Sequence, residues 1–339
     1  MEKEVVFTKN KGFEVRDMEA MPTQVADGDI IVRPLAVGIC GSDLNFIETL
    51  APDKEIFLGH EWVGEVAVTS STSKYMVGDL VSSGALIGCG QCKFCQEDLG
   101  NLCNNGIYIG SKDKGMLRTW ASLPERALLK MDRVADYGSL TLLEVAAVGD
   151  ESMNQLSQLS NKKEKLLVLG AGPVGLFTAL RAKREGYTFE MLELEPFRLK
   201  SALKLGLPAR SLGEWLMDKK SHHQFDLIVD CSGDNGGTPG LWKYLPLFAT
   251  IGTKLVVVGK YSQDIKIDPR LAGTTCMSIK WTRGLPKSSF VKTIEEWKSE
   301  IQKLGETIVS HRFPIDQISE AFVCAQTKSN ALKVVIEIN

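Results

Sequence analysis

An α/β chain is predicted, with a doubly wound parallel sheet inserted into a β-rich domain. Three observations predict it. From Val5 to about Ala127 the chain breaks into short apolar runs separated by Gly, Pro and Asp, the pattern of irregular β structure. From Leu166 to Val258 apolar runs alternate with helical segments, the spacing of parallel strands joined by crossover helices. A glycine-rich turn, Gly170 to Gly175, stands at the first strand-to-helix junction of that region.

Composition sets the outer limits. The 339 residues, 44% hydrophobic and 24% charged, suit a globular protein long enough for two domains. Forty Lys and Arg against 42 Asp and Glu give a net charge of -2, so no field draws the chain to nucleic acid or to an anionic bilayer. The N-terminal MEKEVVFTKN has no apolar signal core, and no window reaches the roughly 18 to 20 apolar residues of a membrane span. A cytoplasmic protein is therefore expected.

In chain order, Ile30 to Val37, Val63 to Val68 and Leu80-Val81 read as strands, the last entered through the turn Gly78-Asp79. After a polar stretch, Asn161 to Lys165, Leu166 to Leu169 reads as a buried strand and Val174 to Arg184 as a helix. Phe189 to Leu194, Leu227 to Val229 and Leu255 to Val258 are further strands, with a helix over Arg198 to Leu205. Past Gly284 the stripe Phe290, Ile294, Trp297, Ile301 and Leu304 predicts one helix, which Gly305 would end. A short helix capped by Asp316 and a strand over Lys333 to Ile338 follow. The expected domains are 1–148 (β-rich), 149–284 (dinucleotide-binding) and 285–339 (a return to the first).

Four of the eight cysteines, Cys89, Cys92, Cys95 and Cys103, lie close together in a glycine-rich segment. Two-residue spacings let thiolates converge on a tetrahedral zinc at about 2.3 Å, and four sulfurs leave no open position, so the site would be structural. An iron-sulfur cluster is the lesser alternative. Cys231, Cys276 and Cys324, set in apolar surroundings, read as small hydrophobes.

Gly170-Ala171-Gly172-Pro173-Val174-Gly175 fits the dinucleotide fingerprint. Gly170 permits the tight turn, Gly172 lets a pyrophosphate approach the backbone, and Gly175 lets the helix beginning at Pro173 and Val174 pack close. Glu193, 23 residues after Gly170, sits where a carboxylate accepts from both ribose hydroxyls, which favours NAD. Arg198 can instead reach a phosphate, so NADP remains the lesser expectation.

His60, in Leu58-Gly59-His60-Glu61, follows Cys40 of Gly38-Ile39-Cys40-Gly41-Ser42-Asp43 by twenty residues. His222 and His223 fall in a polar segment and read as a solvated loop, and Trp62 and Trp281 as packing residues. GICGSD (38 to 43), GHEWVGEV (59 to 66), GD at 78, the cysteine loop, GAGPVG (170 to 175), HRFPIDQISEAF (311 to 322) and the terminal KVVI recur together in one order. In these motifs the chain resembles the zinc-dependent medium-chain alcohol dehydrogenases nearly end to end.

That resemblance implies a GroES-like catalytic domain built from both chain ends, a Rossmann domain between them, NAD, and two zinc ions per chain, one catalytic and one structural. Carried onto this chain, Cys40 and His60 are zinc ligands, with a third near residue 144. Ethanol-type members place a cysteine there, and none occurs between Cys103 and Cys231. Leu142 to Ala146 resembles instead the polyol and sugar branch, similar to sorbitol and glucose dehydrogenases, and makes Glu144 the third ligand. Val145 departs from that branch's usual proline. Glu61 would coordinate directly or through water, Ser42 would relay the proton, and Asp43 would support His60. Phe46 and Ile47 are even candidates for the pocket wall.

The implied reaction moves a hydride from a polyol, sugar or other secondary alcohol to NAD. Threonine dehydrogenases share almost every motif, and a non-catalytic zinc and dinucleotide scaffold is a distant third reading. The family also implies a homo-oligomer, dimer or tetramer, built on the nucleotide domain's edge strand. Leu255 to Gly259 is either that edge or a buried central strand.

Overall fold

The computed structural model describes residues 1–160, 164–233, 242–261 and 264–338, so part of the polar stretch Asn161 to Lys165 lies outside the described residues. The chain forms two compact units. One takes residues 1–144, 284–327 and 333–339, and the other takes 145–283 and 328–332. The boundaries fall at 144/145 and 283/284, a few residues before those read from composition, and the short segment 328–332 belongs to the second unit.

The first unit is built around the strand Asp29–Gly38, whose β-branched Ile30, Ile31, Val32 and Val37 are fully buried. Burying each such side chain contributes roughly 1.5–3 kcal/mol. Its neighbours are Glu61–Val68 on one side and Lys333–Glu337 on the other, both antiparallel to it. Leu80–Ser82 and Leu129–Lys130 extend the sheet beyond the first neighbour, and Val309–Pro314 extends it beyond the second. Register decides what comes next. Gly38 faces Glu61 across one ladder and Val335 across the other. The chain leaving the central strand, the chain entering Glu61–Val68 and the start of Lys333–Glu337 are therefore brought side by side.

The second unit is a six-stranded parallel sheet in the order Ala209–Ser211, Phe189–Glu193, Leu166–Leu169, Phe225–Asp230, Ala249–Val257, Ser278–Trp281. This is the doubly wound Rossmann order, which reverses between Leu166–Leu169 and Phe225–Asp230. Trp215, Phe225 and Phe248 fill one side of it. The run at Leu255 is thus an inner strand, and Ser278–Trp281 is one of the two edges, its Trp281 55% exposed with one ring face stacked on Trp242 at 6.1 Å.

Several expectations are corrected. The stripe from Phe290 to Leu304 forms two helices, Lys287–Trp297 and Ile301–Ile308, broken at Lys298 to Glu300. Gly305 ends neither. It lies inside the second helix, where a Cβ would fall 1.9 Å from the Ser139 hydroxyl. Asp316 caps nothing: it lies in a 3-10 turn, Ile315–Gln317, and the helix Ile318–Gln326 starts without a side-chain cap. Cys276 is exposed, in left-handed backbone at a helix C-terminus. His222 is half-buried, its ring stacked on Trp215 at 4.8 Å.

Candidate active site and metal centres

The strand Asp29–Gly38 ends two residues before Cys40, and the helix Gly41–Thr49 starts just after it. His60 immediately precedes Glu61–Val68. The antiparallel register of Gly38 with Glu61 then sets Cys40 and His60 next to each other, and one donor atom each from Cys40, His60 and Glu61 lies within 4.8 Å of the other two. Gly38 is part of this geometry, since a Cβ there would stand 2.6 Å from Glu61 Oε2.

Both nitrogens of His60 face polar side chains. Nδ1 lies 3.3 Å from Asp43 Oδ1, and Nε2 lies 3.3 Å from the Ser42 hydroxyl. Asp43 Oδ2 also accepts the backbone N–H of Cys40 at 2.9 Å, so one buried carboxylate orients two of the three donors. Burial opposes protonation of the imidazole, but the charges of Asp43 and Cys40 outweigh it and raise the His60 pKa well above its ordinary value in the metal-free protein.

The sequence reading missed Lys333. Its ammonium, 3% exposed, lies 2.5 Å from Glu61 Oε2 and donates to the carbonyl of Ile39 at 3.1 Å. Burial works against its charge, and Glu61 and then Cys40 hold its pKa above the ordinary lysine value. The available signal was a lysine at the head of an otherwise apolar terminal strand, KVVIE. Such a cation is buried only when it has a partner.

Glu144 does not join the ring. It is buried in the first turn of the helix Leu142–Leu159, and the carboxylate within reach of Cys40 and His60 is Glu61. Strand pairing delivers Glu61, itself an expected ligand, to Cys40, whereas Glu144 lies at its helix N-terminus, where the dipole favours a negative charge.

Cys89, Cys92, Cys95 and Cys103 converge, their sulfurs all within 4.8 Å of one another. Sulfur separations are 3.6 Å for Cys92 and Cys95, 3.7 Å for Cys92 and Cys103, and 3.9 Å for Cys89 and Cys95. A tetrahedron with zinc-sulfur bonds of about 2.3 Å has edges of about 3.8 Å, so the four sulfurs fit that ion. Backbone N–H groups of Gln91 and Cys92 pull the Cys89 thiol down to about 6, while burial pushes Cys95 up to about 11.

In the second unit the turn Gly170 to Gly175 joins the strand Leu166–Leu169 to the helix Pro173–Arg184. Gly170 has φ +91°, and a Cβ on Gly175 would lie 1.9 Å from the Gly170 carbonyl. Near Gly172 the closest group to such a Cβ is the Arg198 guanidinium at 3.6 Å, so this face of the turn is open. The first intrahelical bond runs from Leu176 N to Gly172 O, which leaves the amides of Val174 and Gly175 ahead of it to face an anion. Glu193, at the end of its strand, accepts from the backbone N–H groups of Ala171 (2.5 Å), Leu194 (2.6 Å) and Glu195 (2.9 Å). Arg198 donates to the carbonyl of Ala331 at 3.4 Å through Nε and Nη2, and burial lowers its pKa although Glu193 and Glu195 oppose this.

Residues 26–133 match the alcohol dehydrogenase GroES-like domain. Over 94% of its length the chain is 27% identical to an L-threonine 3-dehydrogenase of Rhizobium rhizogenes, of which 94% is covered. It is 26% identical to the sorbitol dehydrogenase of Bacillus subtilis, over 95% of this chain and 94% of that one. Its fold is that of an Escherichia coli oxidoreductase/dehydrogenase of unknown specificity, with a TM-score of 0.84 and 24% identity over the whole of both chains. No helix among the described residues is long and apolar enough to cross a membrane. Residues 26–133 thus carry an alcohol dehydrogenase GroES-like domain, and end to end the chain is similar to threonine and sorbitol dehydrogenases and shares the fold of medium-chain alcohol dehydrogenases.

Proposed function

We propose that the protein is a zinc-dependent dehydrogenase that oxidises a secondary alcohol, polyol or sugar hydroxyl with NAD. The observation that carries this reading is the ring of Cys40, His60 and Glu61, three donors of the kinds that bind zinc within 4.8 Å of one another. Zinc held there would supply Lewis acidity to a substrate hydroxyl, and NAD on the glycine turn would supply the hydride acceptor.

The residues around the ring have separable tasks. Asp43 fixes the proton of His60 on Nδ1 and leaves Nε2 as the donor atom. Ser42, buried beside it, would accept the proton of the substrate hydroxyl at Oγ and pass its own to water. Lys333 gives the buried Glu61 a resting partner. Glu193 favours NAD over NADP, because a 2'-phosphate would meet its charge, and Arg198 is already committed to the Ala331 carbonyl. A second zinc on Cys89, Cys92, Cys95 and Cys103 would tie down a loop with little core of its own. Eight unpaired thiols suit a reducing cytoplasm. The exposed edge strand Ser278–Trp281 is the proposed seam of a homo-oligomer.

Threonine is the second substrate to test, because L-threonine 3-dehydrogenases stand first among the curated relatives. The experiment is metal analysis of the fresh protein with a panel of polyols, sugars and threonine, followed by NADH absorbance. Two zinc ions per chain and turnover on one class are expected. A single zinc with no turnover on any class would replace this reading with that of a binding scaffold.

A further inference from the structure

A cavity of about 150 Å³ lies beside the cysteine loop in the first unit, and none of its lining residues belongs to the Cys40 ring. Leu86, Ile87, Leu129, Leu285 and Phe290 make it apolar. Gly84 forms part of the wall, and a Cβ there would touch only Phe290, at 4.0 Å.

Two cations also line the cavity, each anchored on a backbone carbonyl. Lys287 Nζ donates to the carbonyl of Arg126 at 2.6 Å, and Arg126 Nε donates to the carbonyl of Gly88 at 3.3 Å. The terminal nitrogens of Arg126 make no hydrogen bond among the described residues. A third cation, Lys74, lines an adjoining pocket with Arg126. Burial, and then the charge of Lys74, lower the Lys287 pKa. Two acids are near. Asp98 lines the cavity, and Glu125 accepts the backbone N–H of Lys74 at 3.3 Å. Three cations against two acids leave net positive charge beside an apolar space. An apolar cavity of about this size holds one benzene ring, and an arginine fork matches a carboxylate.

We propose that this cavity binds a small carboxylate with a single-ring apolar body, the ring among Leu86, Leu129 and Phe290 and the carboxylate on Arg126 and Lys287. The site is separate from the proposed dehydrogenase centre, so its test is independent of turnover.

The probe is benzoate, titrated calorimetrically into the zinc-loaded protein, with neutral benzamide as the isosteric control. Binding in the millimolar range or tighter is expected for a ligand of this size, with benzamide about tenfold weaker or more. Arg126→Gln and Lys287→Gln should each weaken benzoate by about tenfold. Gly84→Val, whose Cβ meets only Phe290 at 4.0 Å and whose methyl groups occupy the cavity, should abolish binding. Cys40→Ser should leave it unchanged, since a carboxylate sitting on the proposed catalytic metal would be lost there. If Lys287→Gln does not fold, the exposed Arg126→Gln and the cavity-filling Gly84→Val still decide. Absence of benzoate binding at about 10 mM overturns the proposal, as does equal affinity for benzamide, retention in both Arg126→Gln and Gly84→Val, or loss in Cys40→Ser.

Discussion

The cysteine loop and the Cys40 ring lie in the same unit and bring donor atoms together by opposite routes. In the loop, Cys89 and Cys103 are fourteen positions apart, the four sulfurs come from one turn-rich segment, and only Cys103 is buried. In the ring, Cys40 follows one strand, His60 precedes another, and the cation that neutralises Glu61 comes from a third, 294 positions along the chain from Ile39. The loop needs only local chain flexibility to converge. The ring needs three strands in correct register, and a slip of one residue would turn Glu61 and Lys333 to the opposite face.

If the two sites are independent in this way, Cys40→Ser has the largest effect. It should lower turnover by about 10³-fold, as expected when about 4 kcal/mol of Lewis-acid stabilisation is lost. Metal analysis should show one ion gone and the cysteine-loop ion kept, and loss of both ions would break the comparison. Next is Lys333→Met, which leaves Glu61 buried without its cation and should cost about 3–5 kcal/mol in urea unfolding. The cost should be greater after chelator treatment than with metal present, and equal costs would mean that Glu61 does not face the ion.

Gly38→Ala is smaller. The new methyl group meets Glu61 Oε2, and overpacking of this kind costs about 1–3 kcal/mol, read as a lower urea midpoint together with reduced turnover. A change in stability alone would separate Gly38 from the ring. The smallest concerns another long-range contact, Arg312 Nη2 to Asp136 at 2.8 Å, which ties the return segment to the turn before the helix Tyr137–Leu140. Burial raises the Asp136 pKa, but hydrogen bonds from Ser139 and Arg312 outweigh it and hold the carboxyl below its ordinary 3.8. A lowered folded pKa means that the stabilisation is present above 3.8 and lost as pH falls through the folded value. Asp136→Asn should therefore cost less than about 1 kcal/mol near neutral pH, and the gap from wild type should close in acid. A gap that persists in acid would assign the effect to packing.

The parts legible in the sequence are those governed by short-range physics. Apolar runs such as Leu166 to Leu169 announce their strands because both sheet faces are covered, and the Gly170 turn and the cysteine spacings are local patterns. The helix Leu142–Leu159 was not legible as a helix. Asp150, Glu151 and Ser152 are buried along it, which defeats a reading that puts apolar residues inside and polar ones outside. Gly305 misled for a related reason: a glycine needed for close packing against Ser139 has the same appearance in sequence as one that ends a helix. Glu61 was already a candidate from its place beside His60, but the burial of Lys333 against it comes from pairing between strands far apart in the chain. No local pattern encodes that pairing.

The place of Lys333 in the chain also orders events during synthesis. A ribosome adding roughly 5 to 20 residues per second needs about 15 to 60 s to travel the 294 positions from Ile39 to Lys333. Over that interval Cys40, His60 and Glu61 are all made but Glu61 lacks its buried cation, while the segment ending at Cys103 already has all four of its sulfurs. A nascent chain can therefore load the loop early and close the surroundings of the ring only near the end, which leaves Cys40, the older thiol, open longest to oxidation or to the wrong ion in a metal-poor cell.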